Sequence, residues 1–422
     1  MKCLVILKGL AKTEKLNWVK REDLENYFLD IDDFKKLYSV PELIKPEKEA
    51  LGRSFGNLIH QRFFEALLIR LGKGCLVVVD MNEESSKNLE LLAKVHGYEV
   101  FYYVQPVPQD YCLNPGKYDL GWQYPKKQEE LKQEVNNFLS LPLGDKKTIS
   151  SYSDLLTWWE DNETIVKINP KDDIVHFSDI HSNYDLWKKE IRKVKKTKCI
   201  VHHGDYIDGP EIGGSRKMIE EIISDNSKNI VWLEGNHEIR LRRYLGWLMI
   251  RDKGSKTISN LLYSLLPDDF KSTTLSEFSD LTPKDAAKML GELNKKLKTH
   301  AVILRGDDVY ICTHAGLRFL EQLSPRHIGN VIYGGRDIER QDKEFSGRYY
   351  MKDTNTISVH AHCKYHKEWK IEMYPGVINI DPVDEYEIVV LYNSKNDLKY
   401  GKSCNKNKSR RCSKCVGNAQ VE

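Results

Sequence analysis

Three segments in the middle of the chain repeat one pattern: "DIVHFSD" (173–179), "KCIVHHGD" (198–205) and "NIVWLEGN" (229–236). Each is a short apolar run that stops at a cluster of carboxylate, amide or imidazole side chains. Runs of this length bounded by polar groups are the pattern of strands buried on both faces. A helix-compatible segment follows each one, and such alternation predicts a parallel α/β sheet. In open sheets of that kind the carboxyl ends of neighbouring strands lie together, and ligands bind there. The third segment continues as "WLEGNHEIRLRR" (232–243), and Gly235 is expected to let the backbone turn sharply at the strand end.

The 422 residues allow two or three domains, each with its own core. Residues 1–110 show an α/β rhythm of their own. "KCLVILKG", "GCLVVVD" and "YEVFYYVQPV" read as strands, and "GNLIHQRFFEALLIRLG" has helical spacing that ends at a glycine. Residues 111–165 are polar and read as a helical linker or lid, with "QEELKQEVNNFLSL" the clearest helix. A second α/β domain is expected over 166–395, with a helical insertion at 245–300 and a hairpin around Gly306, Asp307 and Asp308. Residues 396–422 read as a basic, cysteine-containing tail without fixed structure.

The formal charge of +3 does not by itself imply a nucleic-acid partner. No apolar stretch approaches the roughly 20 residues that span a bilayer, so no membrane partner is expected. The N-terminal "CLVIL" is too short for a signal-peptide core. The nine cysteines are an odd number, and several sit inside apolar runs where a thiol packs as a small hydrophobe. That usage points to a reducing, cytoplasmic setting. The tail offers three cysteines, one short of the four ligands of a structural zinc.

The chemistry-bearing residues fall at strand ends in a fixed order. They are Asp179 and His181 in "SDIHSN", Asp205 and Asp208 in "GDYIDGP", Asn236 and His237 in "GNHE", His314 in "THAG", and His360 and His362 in "VHAHC". Mixed carboxylate, amide and imidazole donors suit manganese, iron or zinc better than calcium or magnesium, which prefer oxygen alone. Two such ions ~3.5–4 Å apart form the usual hydrolytic clamp, in which a shared water ionises near pH ~7. A carboxylate is the natural bridge, because its charge offsets the repulsion between the ions.

This ordered set resembles the calcineurin-like metallophosphoesterase superfamily, whose pattern is DxH, GD, GNH, a later His, and GHxH. The match covers about residues 172–385 and implies an α/β/β/α domain with a binuclear centre. By that resemblance Asp179 and His181 hold the first metal, joined by His362 in the phosphodiesterase branch. Asp205 bridges, and Asn236, His314 and His360 hold the second. Manganese is the implied ion, with iron, zinc or nickel as alternatives. His237 is implied to be the general acid, oriented by Asp208, although an aspartate there could also cap the following turn. Val359 replaces the glycine of GHxH. The spelling leans to the phosphatase branch, and Asp381 in "INIDPV" matches its "NIDTG". That branch carries phosphate-gripping arginines where this chain has Gly209 and Glu234. Arg240 and Arg243, which share a helix face, are the nearest replacements, ahead of Arg242, Arg216 and Arg318.

The N-terminal "ILKGLAKTEKLNWV" is similar to a P-loop in which Gly9 and Lys15 fit, while Glu14 and Leu16 stand where a glycine and a hydroxyl residue belong. "LDIDDFKKLY" and "VVVD" add a resemblance to polynucleotide kinases. The fold class is therefore an N-terminal P-loop-kinase-like parallel α/β domain, degenerate and without kinase activity, followed by the phosphoesterase domain. The order resembles bacterial polynucleotide kinase-phosphatases, which implies phosphomonoester hydrolysis at RNA or DNA ends. Rival readings are a serine/threonine-type protein phosphatase and a hydrolase of dinucleoside polyphosphates or cyclic nucleotides. A non-catalytic nucleic-acid-binding scaffold is the alternative of a different class, and the intact ligand set argues against it.

Overall fold

Apolar runs with no polar face have to sit in the middle of a sheet, and in the computed structural model they do. The structure describes residues 1–9, 12–31, 33–34, 49–80, 83–105, 146–209, 212–251, 256–317, 323–329, 332, 356–361, 372–374, 377–380, 387–394, 397–404 and 416–418. These form two units, Lys2–Asp161 and Asn162–Glu422, the second of which also includes Met1.

The first unit is a five-stranded parallel sheet in the order β2-β3-β1-β4-β5. Its strands are β1 (Lys2–Lys8), β2 (Phe28–Asp30), β3 (Val77–Asp80), β4 (Tyr98–Val104) and β5 (Lys147–Ile149). Every residue of β1 and β3 is buried, as expected for strands covered on both faces. The described helices of this unit are α1 (Lys12–Arg21), α2 (Glu49–Gly72), α3 (Glu83–Val95) and α4 (Tyr152–Asp161). The stretch read as a linker therefore returns to the sheet: Lys147–Ile149 pairs in register with Phe101–Tyr103. A three-residue edge strand is too short to show an apolar period, which is why the composition of 111–165 hid it. The helix expected at 128–141 lies outside the described residues.

The second unit holds two sheets. One has the order β10-β9-β8-β7-β16-β17-β18 and the other β14-β15-β13-β12-β11-β6. In the first, β7 (Ile174–Phe177), β8 (Cys199–His202), β9 (Ile230–Leu233) and β10 (Leu297–Lys298) are parallel. β16 (Glu387–Ser394), β17 (Asp397–Cys404) and β18 (Val416–Asn418) continue it antiparallel. The second sheet contains β6 (Ile165–Ile168), β11 (His300–Arg305), β12 (Asp308–Thr313), β13 (Thr356–His360), β14 (Glu372–Tyr374) and β15 (Val377–Asn379). β11 and β12 form the expected hairpin, with Gly306 at φ 64° in its turn. One shared core joins the two sheets, with Val201, Val231 and Leu233 from the first against Ile303, Cys312 and Val359 from the second.

The supposed tail departs from expectation. Asp397–Cys404 is a strand zipped antiparallel to Glu387–Ser394 along its full length. Its polar composition fits a strand added outside the core-forming run, held by main-chain bonds that composition does not report.

Helices α5 (Tyr184–Val194), α6 (Gly214–Ser224) and α7 (Asn236–Ile250) follow β7, β8 and β9 in turn. The insertion then adds α8 (Lys256–Ser264), α9 (Asp268–Ser272), a tight turn at Leu275–Phe278 and α10 (Pro283–Lys296). α10 starts where Thr282 accepts the Asp285 N–H and Pro283 presets the first turn. Arg242 of α7 ties it down, donating to Asn294 and, at 2.5 Å, to Glu234 of the preceding strand end. Among the described residues no helix is long and apolar enough to cross a membrane.

Candidate metal centre

The ends of β7 and β8 are forced into an uncommon backbone shape. Five described non-glycine residues have positive φ, and four of them lie here: His181 (44°), Ser182 (62°), Asp205 (52°) and Asp208 (61°). Each such residue costs about 1–2 kcal/mol, so neighbouring contacts must impose it. The two loops are laced together by main-chain bonds: Ile180 and His181 N–H donate to the Asp205 carbonyl at 3.0 and 2.9 Å, and Ser182 N–H to Tyr206 at 2.9 Å. The glycines serve the same closeness. A Cβ on Gly204 (φ +92°) would lie 2.6 Å from Gly235 N, and one on Gly235 would lie 2.2 Å from Asp205 Oδ1. Gly235 itself is extended, at φ −98° and ψ 177°. It is there to admit a carboxylate, and the sharp turn expected of it does not occur.

Asp205 is the hub. Its side chain is 1% exposed, and its Oδ2 lies 3.4 Å from His314 Nε2 and 3.6 Å from His237 Nε2. The N–H of His237, in the first turn of α7, donates to Asp205 Oδ1 at 3.0 Å, so the positive end of the helix faces this carboxylate. Oriented by its neighbours, the Asn236 amide lies 3.2 and 3.1 Å from the two Asp205 oxygens and 3.0 Å from His314 Nε2. On the other side, Asp179, His181 and Asp205 bring ligand atoms within 4.8 Å of one another. His181 Nδ1 faces the Ile207 carbonyl at 3.3 Å, leaving Nε2 as the donor atom.

The charges explain what this donor set wants. Burial alone would raise the Asp205 carboxyl, yet the imidazoles of His237, His314 and His181 hold it well below the usual range. Burial works against charge on His314, but Asp205 and Asp179 outweigh it and push the ring up to about 10. Burial lowers His360 to about 4, which keeps it a neutral ligand-type imidazole. Two buried carboxylates beside neutral-capable imidazoles are tolerated where cations share the space. The residues present thus fit divalent metal ions.

His237 and Asp208 form a pair, His237 Nδ1 to Asp208 Oδ2 at 2.9 Å. Burial opposes the charged ring, while Asp205 and Asp208 more than offset it and raise His237. Arg240 Nη1 donates to the same Asp208 oxygen at 3.0 Å. Of the arginines considered for phosphate, Arg240 is thus engaged with Asp208, and Arg243 points to the Leu265 carbonyl at 3.4 Å. Arg242 is buried against Glu234, and Arg216 bonds Glu220 at 2.6 Å and Asp280 at 3.1 Å. His362, Arg318 and Asp381 lie outside the described residues.

Glu238 escaped the sequence reading. Fully buried, it accepts the N–H groups of Gly235 (2.8 Å), Asp205 (3.0 Å) and Tyr206 (2.9 Å), clamping the end of β9 to the loop after β8. Burial and the Asp205 charge push it up to about 7. Its spacing, three residues after the helix N-cap, is the signal that could have found it. His203 was missed as well: its carbonyl accepts His314 Nδ1 at 2.5 Å, which aims Nε2 at the site.

In the other unit, Lys15 pairs with Asp80 at 2.7 Å, both side chains 11% exposed. A Cβ on Gly9 would lie 2.2 Å from Gln105 Oε1, whose own N–H donates to Lys8 O at 2.8 Å. Glu14 is exposed and Leu16 half-buried.

Residues 173–376 match the family model described as calcineurin-like phosphoesterase. No curated protein matches the chain. Among solved structures, one described as a diadenosine tetraphosphatase is 13% identical, covering 58% of this chain and 99% of its own, with a TM-score of 0.38. A serine/threonine phosphatase from Saccharomyces cerevisiae is 14% identical, covering 66% and 96%, with a TM-score of 0.33. A metallophosphoesterase from Sphaerobacter thermophilus is 15% identical, covering 55% and 83%, with a TM-score of 0.26.

Proposed function

We propose that the calcineurin-like domain at residues 173–376 is a binuclear metal-dependent phosphoesterase that hydrolyses phosphomonoesters, with RNA or DNA end phosphates as its substrate class. The observation that carries this reading is the convergence on buried Asp205, with Asp179 and His181 on one side and Asn236 and His314 on the other. Asp179 and His181, with His362, would hold one ion. Asn236, His314 and His360 would hold the second, and Asp205 would bridge. Two divalent ions, manganese first among them, would supply hydroxide at neutral pH and neutralise the phosphoryl oxygens. The chain's own residues do the rest. His237, charged through its carboxylate neighbours, gives a proton to the departing oxygen from Nε2, because Nδ1 is held by Asp208.

The substrate class rests on the sequence resemblance to polynucleotide kinase-phosphatases and on lysine- and arginine-rich stretches such as "KKEIRKVKKTK". The test is a screen of 3′- and 5′-phosphorylated oligonucleotides, phosphopeptides, dinucleoside polyphosphates and cyclic nucleotides with Mn²⁺. Release of phosphate from oligonucleotide ends in preference to the other classes is the expected result. Preference for phosphopeptides or small nucleotides would keep the phosphoesterase and overturn the substrate. No turnover of any of them, with metal bound, would leave the scaffold reading standing.

A further inference from the structure

The helical insertion reaches back into the dyad through one hydroxyl. Thr274 lies between α9 and the Leu275–Phe278 turn and is 1% exposed. Its main chain is pinned at both ends, N–H to Phe270 O at 3.1 Å and C=O from Glu277 N–H at 3.1 Å. Its Oγ1 donates to Asp208 Oδ1, across 66 residues of sequence. Asp208 Oδ2 is shared by His237 Nδ1 and Arg240 Nη1. Both carboxylate oxygens are therefore held, one by the insertion and one by α7. A carboxylate anchored on one oxygen can swing about its side-chain torsions. One anchored on both cannot, and its plane then fixes the imidazole ring it faces.

We propose that Thr274 is a positioning residue for the acid step, through which the insertion sets the orientation of Asp208 and hence of His237. This inference rests on the phosphoesterase reading. The side-chain hydrogen bond of Thr274 goes to Asp208 and not to Asp179, His181, Asp205, Asn236 or His314. Its effect has to pass through the proton delivered from His237 Nε2. The insertion is thus part of the machinery of leaving-group protonation, and not merely a cover over α7. The insertion is itself braced nearby: Arg216 N–H donates to Glu277 Oε2 at 2.8 Å, just beyond Thr274.

The experiment compares Thr274→Val, Thr274→Ala and Thr274→Ser in the full chain loaded with Mn²⁺, on an alkyl phosphomonoester and on p-nitrophenyl phosphate. Thermal melts and bound-metal counts are taken for each variant. Val and Ala should lower kcat on the alkyl ester roughly 10–50-fold, a part of the 10²–10⁴-fold that general acid catalysis supplies, with KM and metal content unchanged. The aryl ester, whose leaving group needs little protonation, should lose less than about 3-fold, and Ser should recover most of the alkyl rate. Equal losses on both esters, or a Ser variant as slow as Val, would reduce Thr274 to a packing residue. If Val does not fold, the Ala and Ser pair decides by the same ratio. A wild-type enzyme inactive on both esters would instead count against the phosphoesterase reading itself.

Discussion

In the N-terminal unit, the carboxyl end of β3 presents Asp80, and the helix after β1 presents Lys15, 2.7 Å away. In the C-terminal unit, the carboxyl ends of β7 and β8 present Asp179 and Asp205, both nearly fully buried, and the nearest groups are imidazoles and an amide. Both are parallel strand ends, the place where α/β sheets bind ligands. The first cancels its charge internally. The second sets two buried carboxylates against imidazoles: burial opposes charge on His314, yet Asp205 and Asp179 push it up to about 10. A lysine beside a carboxylate is a closed ion pair, whereas imidazoles beside carboxylates can exchange a proton for a metal ion.

The sharpest way to break this comparison is to remove the central carboxylate. Asp205→Asn keeps shape and loses the carboxylate that would offset two ions. It should cut metal binding and hydrolysis by well over ~100-fold, since even partners of metal ligands are typically worth 10–100-fold. Atomic absorption and turnover check it together, and two retained metals with near-normal rate would end the binuclear reading. His237→Ala comes next, expected to slow alkyl-phosphate hydrolysis by roughly 10²–10⁴-fold with metal content intact and a smaller loss on aryl esters.

On the N-terminal side the prediction is structural. Lys15→Ala takes the ammonium away from buried Asp80 and should destabilise that unit by up to roughly 3–5 kcal/mol, with Asp80→Ala added on top restoring part of it. Urea unfolding of the single and double variants measures this. Transfer of labelled γ-phosphate from ATP to a 5′-hydroxyl oligonucleotide, assayed in the Asp205→Asn background, should be undetectable. Clear transfer abolished by Lys15→Ala would overturn the contrast, because the pair would then be a working phosphate site.

The smallest effect concerns His202, sandwiched between Trp232 (4.1 Å) and Phe177 (4.7 Å) with neither ring nitrogen hydrogen-bonded. Burial holds it well below its ordinary value, and His176 likewise. A lowered folded pKa contributes stability that is complete above the unfolded value and lost as pH falls below it. Each of these histidines should therefore cost about 1.4 kcal/mol per pH unit below pH ~6.5. His202→Phe should remove one of these contributions and make the acid limb of stability less steep in urea titration from pH 7 to 5. An unchanged acid limb would show that His202 does not carry its share.

What was legible in the sequence is what depends on neighbours along the chain. Apolar runs ending in "SDIH", "HHGD" and "EGNHE" set Asp179, Asp205 and Asn236 at the ends of β7, β8 and β9, because strand burial and period are local properties. The Gly306–Asp307 turn between β11 and β12 is local in the same sense. Tertiary structure decided what depends on approach between distant segments. Gly235 is required by the Asp205 carboxylate packed against it, a contact that no turn rule foresees. Polar Asp397–Cys404 becomes a strand because Glu387–Ser394 offers an edge to pair with. Thr274 meets Asp208 because the insertion folds back over α7, and nothing in "KSTTLSEF" marks that hydroxyl. Main-chain pairing and single hydrogen bonds leave no periodic trace in composition, so only the folded chain could assign them.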